Sequence, residues 1–238
     1  MKIGILGSGD VGRVLGAGFV KKGHTVKLGT RNPGGEKVKS WAASVGAGAS
    51  LGTFSEAAAF GDLVVVATLW SGTESALALA HPKNLEGKIV IDATNPLDFS
   101  VQPPRLALGH TTSAGEKIQA LLPGAKVVKA FNAVGNPHMV DPSFPGGRPT
   151  MFIGGNDAGA KKTVMGLLTD FGWESVDLGG IETSRYLEPL AMIWILHYLR
   201  TKSGAHASTR PGGCASAPRR SRSRRSSRRS ASASAGTR

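Results

Sequence analysis

The chain has 238 residues, 40% of them hydrophobic, a formal net charge of +13 and one cysteine, Cys214. A lone cysteine excludes an internal disulfide framework and any multi-cysteine metal site. Nine arginines and no acid fall between 207 and 238, leaving 20 basic against 16 acidic residues, or +4, on the rest, so the extreme charge belongs to the C-terminal tail.

Met1 leads at once into the apolar run Ile3–Leu6, without the basic segment and long apolar stretch of a signal peptide. From there short apolar runs alternate with helical patterns. Strands are expected at 2–6, 25–29, 62–68, 88–92, 125–130, 150–154 and 174–178, with a weak one at 48–51. Helical spacing marks 10–22, 35–45, 72–80, 114–122, 158–171 and 183–200. The alternation implies parallel strands joined by right-handed crossover helices. The predicted fold class is α/β: a Rossmann-type, doubly wound, mostly parallel sheet with helices on both faces. Leu63-Val64-Val65-Val66-Ala67 reads as a central strand covered on both sides. The stretches 96–112 and 132–149, rich in Pro and Gly, read as loops that follow strands, so they belong at the carboxyl edge of the sheet, where ligands bind in such folds.

In the last helical stretch, Leu187, Leu190, Ala191, Trp194, Ile195 and Tyr198 form an apolar face, and Met192, Ile193, Leu196 and Leu199 add apolar surface around it. Such a helix wants burial on more than one side. Either the core alone or a homodimer through this helix would supply it. Glu188, Pro189 and His197 interrupt the stretch, which is too short to span a bilayer. The expectation is a cytoplasmic protein with no membrane segment. Residues 207–238 contain no Leu, Ile, Val, Met, Phe, Tyr or Trp, so they cannot bury apolar area to offset chain entropy, and disorder is expected. The organisation is therefore one nucleotide-binding domain, 1–206, and an Arg/Ser-rich tail, 207–238. Arg-rich segments bind phosphate backbones, but this one has no aromatic residue for base stacking, so nucleic acid is not the expected partner.

Gly7-Ser8-Gly9-Asp10-Val11-Gly12 is a G-x-G-x-x-G run. It follows one predicted strand and opens a helix, the context in which the pattern binds a dinucleotide. Gly7 permits the tight turn, Gly9 lets a pyrophosphate approach the backbone, and Gly12 lets helix pack on strand. The diphosphate would sit on the helix N-terminus. At the end of the second strand, Leu28-Gly29-Thr30-Arg31-Asn32-Pro33 carries no acid before Glu36. A carboxylate there would accept from the ribose hydroxyls of NAD; Thr30 and Arg31 can instead donate to a 2′-phosphate, which predicts NADP(H). The bland alternative for Arg31 is a surface residue in a turn.

The nicotinamide end is expected where Thr68-Leu69-Trp70 and Ala93-Thr94-Asn95 end their strands, one offering apolar surface and the other polar groups. Asn132, at the end of strand 125–130, should face the same crevice. Asn95 and Asn132 could equally be turn-forming residues, and Trp70 a packing residue. His138 is the histidine nearest this crevice in the sequence reading, with an ordinary loop residue as the competing reading.

Several blocks resemble the NADP oxidoreductase coenzyme-F420-dependent family: Ile3–Gly12, Gly29-Thr30-Arg31, Leu85–Pro96, Val127–Asn132, Gly147–Phe152 and Arg185–Met192. The resemblance runs from residue 1 to about 206. It implies a single Rossmann-type domain with NADPH on the fingerprint loop and a small-molecule redox acceptor, coenzyme F420 or a flavin-like molecule, over the nicotinamide. It further implies direct hydride transfer with no side chain acting as acid or base, so no catalytic residue is expected beyond the pocket candidates Asn95, Asn132 and His138. Similar domains in membrane ferric reductases and in β-hydroxyacid and imine reductases carry additions that this sequence lacks. In the family the last helix runs into a short apolar and basic ending; here Ser208-Thr209-Arg210-Pro211 replaces it, which reads as a shifted frame or late extension ahead of an RNA-binding tail. Two further readings stay open: an NADPH-dependent reductase of a small carbonyl or imine, and a non-catalytic NADP(H)-binding regulator whose tail contacts nucleic acid.

Overall fold

A computed structural model describes residues 1–201; the expectations for the tail, 207–238, lie outside the described residues. The chain runs β1 (Lys2–Leu6), α1 (Asp10–Lys21), β2 (Thr25–Gly29), α2 (Glu36–Val45), β3 (Ala49–Gly52), α3 (Phe54–Phe60), β4 (Leu63–Val66), α4 (Trp70–Ala80) and β5 (Ile89–Asp92). A short hairpin, β6 (Leu97–Asp98) and β7 (Arg105–Leu106), precedes α5 (Ala114–Leu121) and β8 (Lys126–Lys129). The last elements are β9 (Thr150–Gly155), α6 (Ala158–Asp170), β10 (Glu174–Asp177) and α7 (Ser184–Thr201).

Eight strands form one sheet in the order β10-β9-β8-β5-β4-β1-β2-β3. From β3 to β8 every pairing is parallel, which is the doubly wound order with the switch between β1 and β4. β4 lies near the middle, and its alternate side chains supply both cores. Leu63 and Val65 join Ile3, Ile5, Leu15, Phe19 and Phe171 on one face. Val64 and Val66 join Leu6, Phe54, Leu77, Ile118 and Val127 on the other. A strand buried on both sides reads as an unbroken β-branched run, and this one is LVVV with all four residues buried.

Two details depart from the sequence reading. One pairing in the sheet breaks the parallel pattern: β9 runs antiparallel to β8, Val128 opposite Gly155 and Lys129 opposite Gly154, and β10 then pairs parallel to β9. A parallel return needs a crossover helix, and residues 130–149 hold none, only the short turn Asn136–His138. The chain therefore folds back at the carboxyl edge. Helix α3 was not anticipated. It is seven residues long and starts on a capping box, with Thr53 Oγ1 accepting from Glu56 N–H while the Glu56 carboxylate accepts from Thr53 N–H.

Candidate functional site

The turn from β1 into α1 is built by backbone geometry alone. Gly7 has φ +128, in the region that favours glycine, and a Cβ there would lie 2.3 Å from the Ala67 carbonyl oxygen. A Cβ on Gly12 would lie 2.0 Å from the Gly7 carbonyl oxygen, so helix and turn can touch only because residue 12 has no side chain. Gly9 differs: a Cβ there meets nothing within 4 Å. Gly9 caps α1 with no side chain accepting from the first turn. By contrast α3, α5 and α6 are closed by Thr53, Ser113 and Asp157. The first amides of α1 thus face open space over a residue with no side chain, the arrangement an anion at a helix N-terminus uses.

The end of β2 lies alongside. Ser8 Oγ donates to Thr30 Oγ1 at 3.1 Å, and Asn32 N–H reaches the same oxygen at 3.3 Å. Thr30 is buried and fixed by its own N–H on the Gly52 carbonyl, whereas Arg31 is exposed and has no ion-pair partner among the described residues. Asp10, in the fingerprint, pairs with Arg13 one turn on, and Val11 is half-buried against the core. The structure therefore brings Gly7, Ser8, Gly9, Gly12, Thr30 and Arg31 to one corner.

At the other end of the crevice, Asn95 and Asn132 pair across the tips of β5 and β8. Asn95 Nδ2 donates to the Asn132 carbonyl at 2.8 Å, and Asn132 Nδ2 donates to Asn95 Oδ1 at 3.2 Å and to the Leu187 carbonyl of α7 at 2.7 Å. Asn132 is 1% exposed, and its Oδ1 accepts from nothing among the described residues. A buried acceptor without a donor is costly and uncommon. Thr68, Leu69 and Trp70 stand at the end of β4, where Thr68 Oγ1 shares a hydrogen bond with Thr73 and Leu69 is 73% exposed. Trp70 opens α4 and packs partly against the α3–α4 core. Ala93 is buried, and Thr94 turns its hydroxyl inward to Asp92. His138 sits on the Asn136–His138 turn, with its ring 4.9 Å from that of Phe144.

Directly beneath the asparagines lies a charged group that the sequence reading missed. Lys129 is wholly buried, and its Nζ donates to Asp92 Oδ2 at 2.9 Å, Glu188 Oε1 at 2.8 Å and the Thr94 carbonyl at 2.7 Å. Both carboxylates have further donors. Asp92 Oδ1 accepts from Thr94 N–H and Oγ1. Glu188 accepts from the N–H groups of Ala114 and Gly115, the first turn of α5, so it also rests on that helix's positive end. Burial alone would lower the Lys129 pKa; Asp92 and Glu188 outweigh it and hold the ammonium above its ordinary value. The signal available in the sequence was a charge inside an apolar strand, Val127-Val128-Lys129-Ala130-Phe131, which has to be paired if the strand is central.

The chain has counterparts among known proteins. The family described as NADP oxidoreductase coenzyme F420-dependent matches residues 2–96. A crystal structure from Arthrobacter sp. FB24, assigned as an F420-dependent NADP reductase, shares 39% identity and a TM-score of 0.81, covering 85% of this chain and 96% of that one. The F420-dependent NADP reductase of Methanocaldococcus jannaschii is 31% identical over 151 residues, 62% of this chain and 67% of that protein. The chain belongs to the NADP oxidoreductase coenzyme F420-dependent family. The metalloreductase STEAP3 of Rattus norvegicus is also 31% identical, over 191 residues; the chain spans 36% of that protein's length. A reductive aminase from Aspergillus terreus, 21% identical with a TM-score of 0.62, shares the fold. Family membership agrees with the corner at Thr30 and Arg31, where the acid expected of an NAD site is absent. Among the described residues no helix is long and apolar enough to cross a membrane, and no group of three His, Cys, Asp or Glu side chains could hold a metal ion.

Proposed function

We propose that the chain is an NADPH-dependent oxidoreductase that transfers a hydride between NADP(H) and a deazaflavin such as coenzyme F420, or a flavin-like acceptor. The observation that carries this reading is the pairing of an open glycine cradle on α1 with a corner at Thr30 and Arg31 that holds two side-chain donors and no carboxylate. Amides at the start of α1 hold the diphosphate, and the Thr30 hydroxyl and Arg31 guanidinium donate to the 2′-phosphate. At the other end, the free Oδ1 of buried Asn132 is an acceptor that a carboxamide N–H would satisfy. NADPH, when bound, supplies the hydride. The side chains orient and exclude water: Leu69 and Trp70 give apolar surface on one side, and the Asn95–Asn132 pair fixes the polar edge on the other. None of these groups needs to gain or lose a proton for a direct hydride transfer.

The test is titration of the purified chain with NADPH and NADH, followed by anaerobic incubation of the NADPH complex with coenzyme F420 and, separately, FMN. The wild-type chain prefers NADPH by at least about tenfold, equal to about 1.4 kcal/mol. Arg31→Ala removes that preference by weakening NADPH while leaving NADH unchanged. Equal affinity of the wild type for both nucleotides defeats the reading. Reduction of a small imine or ketone, with no transfer to either flavin-like acceptor, shifts it toward the chemistry of the imine reductases and reductive aminases whose fold the chain shares.

The chain's proposed assembly is a homodimer through the outer side of α7. Tyr186, Ile193, Leu196, Tyr198 and Leu199 are exposed there. The core side of the helix is Ser184, Leu187, Glu188, Ala191 and Ile195, so Leu190 and Trp194 are only partly covered and Tyr198 is not a core residue. Light scattering reads this directly: a monomer at micromolar concentration discards the dimer.

A further inference from the structure

Lys129, Asp92 and Glu188 form a cluster that the hydride-transfer reading does not use, and its bonds lead to the redox crevice. Three separate segments meet in it: Asp92 ends β5, Lys129 ends β8 and Glu188 lies in the second turn of α7. Lys129 holds the Thr94 carbonyl, one residue before Asn95. The residue before Glu188, Leu187, supplies the carbonyl that holds Asn132 Nδ2. Asn95 and Asn132 are bonded to each other. The links therefore close a loop: Glu188 to Lys129, Lys129 to the Thr94–Asn95 turn, Asn95 to Asn132, and Asn132 back to α7.

We propose that Glu188 is a positioning residue for the nicotinamide end of the site, acting through Lys129 to set the Asn95–Asn132 pair and the free Asn132 Oδ1. The proposal rests on the reading given under Proposed function, in which that end receives the nicotinamide. Its physical basis is the cost of moving a fully buried ion: an ammonium with three acceptors and a carboxylate with three donors admit essentially one arrangement. β5 and β8 can then take only one relative position at their tips. Among the described residues the fingerprint corner has no hydrogen bond or ion pair to this cluster, so the two ends of the cofactor are held by independent devices.

That independence makes the proposal testable by a difference in binding. Glu188→Gln keeps the shape and leaves Lys129 paired one to one with Asp92, so no uncompensated charge is created. Dissociation constants for NADPH and for 2′-phospho-ADP-ribose, which lacks the nicotinamide, are measured by calorimetry on wild type and variant. The wild type binds NADPH more tightly than the fragment. In Glu188→Gln that advantage falls by about tenfold, while affinity for the fragment stays within about twofold. Arg185→Gln loosens the same helix from its exposed side by removing the bond to Glu116, and it retains the advantage.

A lower melting temperature with the advantage intact makes Glu188 a merely structural residue and overturns the proposal. Loss of the advantage in Arg185→Gln to the same degree also overturns it, because any loosening of α7 would then suffice. If the wild type binds neither compound, the parent reading has failed; if it binds the fragment as well as NADPH, the nicotinamide has no pocket and only the positioning role is lost. Should Glu188→Gln not fold, the double variant Glu188→Gln/Lys129→Met removes one charge of each sign, keeps the cluster's net charge, and must show the same loss of advantage.

Discussion

The two ends of the crevice are built on different principles. The fingerprint corner is local: Gly7, Gly9 and Gly12 lie within six residues, and their work is done by what they lack, a Cβ that would strike the backbone at Gly7 and Gly12 or fill the open space at Gly9. The polar end is assembled from Asp92, Asn95, Lys129, Asn132, Leu187 and Glu188, drawn from three segments and held by buried hydrogen bonds. The first, the proposed binding surface, is stabilised by ordinary packing around it. In the second, stability and shape are the same thing. A substitution at the first should separate affinity from stability, and one at the second should not.

The largest expected effect lies in the buried cluster. Lys129→Met leaves Asp92 and Glu188 as two carboxylates with no cation between them, and breaking a buried pair in this way costs about 3–5 kcal/mol. Urea denaturation of the variant against wild type checks it. Because Asp92 keeps the Thr94 donors and Glu188 keeps two amides of α5, a loss under about 1 kcal/mol would mean that the lysine adds little to what the backbone already supplies. The distinction between the two ends would then collapse.

The fingerprint corner comes next, and its glycines split in opposite directions. Gly12→Ala drives a methyl group to 2.0 Å from the Gly7 carbonyl oxygen; the backbone must shift, at about 1–3 kcal/mol, the usual range for overpacking. Gly9→Ala meets nothing, so thermal unfolding moves by less than about 1 kcal/mol, the cost of Ala at an N-cap. NADPH affinity falls at least about tenfold, because the methyl group occupies the place of the pyrophosphate. Calorimetric titration and a melting curve on the same sample decide it. Unchanged affinity in Gly9→Ala would show that the cradle is not where the nucleotide sits.

That contrast also explains what could be read from the sequence. The fingerprint was legible because its logic is steric and acts over a few residues: a spacing of glycines between a strand and a helix states the turn and the ligand together. The parallel run from β3 to β8 was legible because its crossovers, except the short α3 between β3 and β4, carry helices of readable periodicity. The reversal of β9 was not, since nothing in residues 130–149 announces where a long loop will turn. Asn95 and Asn132 were singled out by position at strand ends, and the structure joins them. Glu188 looked like an interruption of an apolar helix. Only the meeting of β8, α5 and α7 makes it the partner of Lys129, and no spacing rule spans 59 residues.

The smallest effect lies at the rim of the same helix. Arg185 donates from Nε to Glu116 Oε2 at 2.9 Å, and Ser113 Oγ donates to that oxygen at 2.8 Å. The Arg185 bond, foremost, holds the Glu116 carboxyl below its ordinary value. A carboxylate with a lowered folded-state pKa contributes stability that is complete above the unfolded value, about 4.3, and is lost as the pH falls toward the folded value. Both side chains are partly exposed, 36% for Arg185 and 21% for Glu116, so solvent screens the pair. Glu116→Gln should therefore cost less than about 1 kcal/mol at pH 7. The cost should be smaller at about pH 3 than at pH 7, because the wild-type carboxyl takes up protons as the pH falls below the unfolded value, and it should also fall in high salt. Urea midpoints of both proteins at the two pH values measure it. A difference that is the same at both would assign the contribution of Glu116 to packing or to its cap on Ser113, and leave the buried cluster as the site where charge fixes α7.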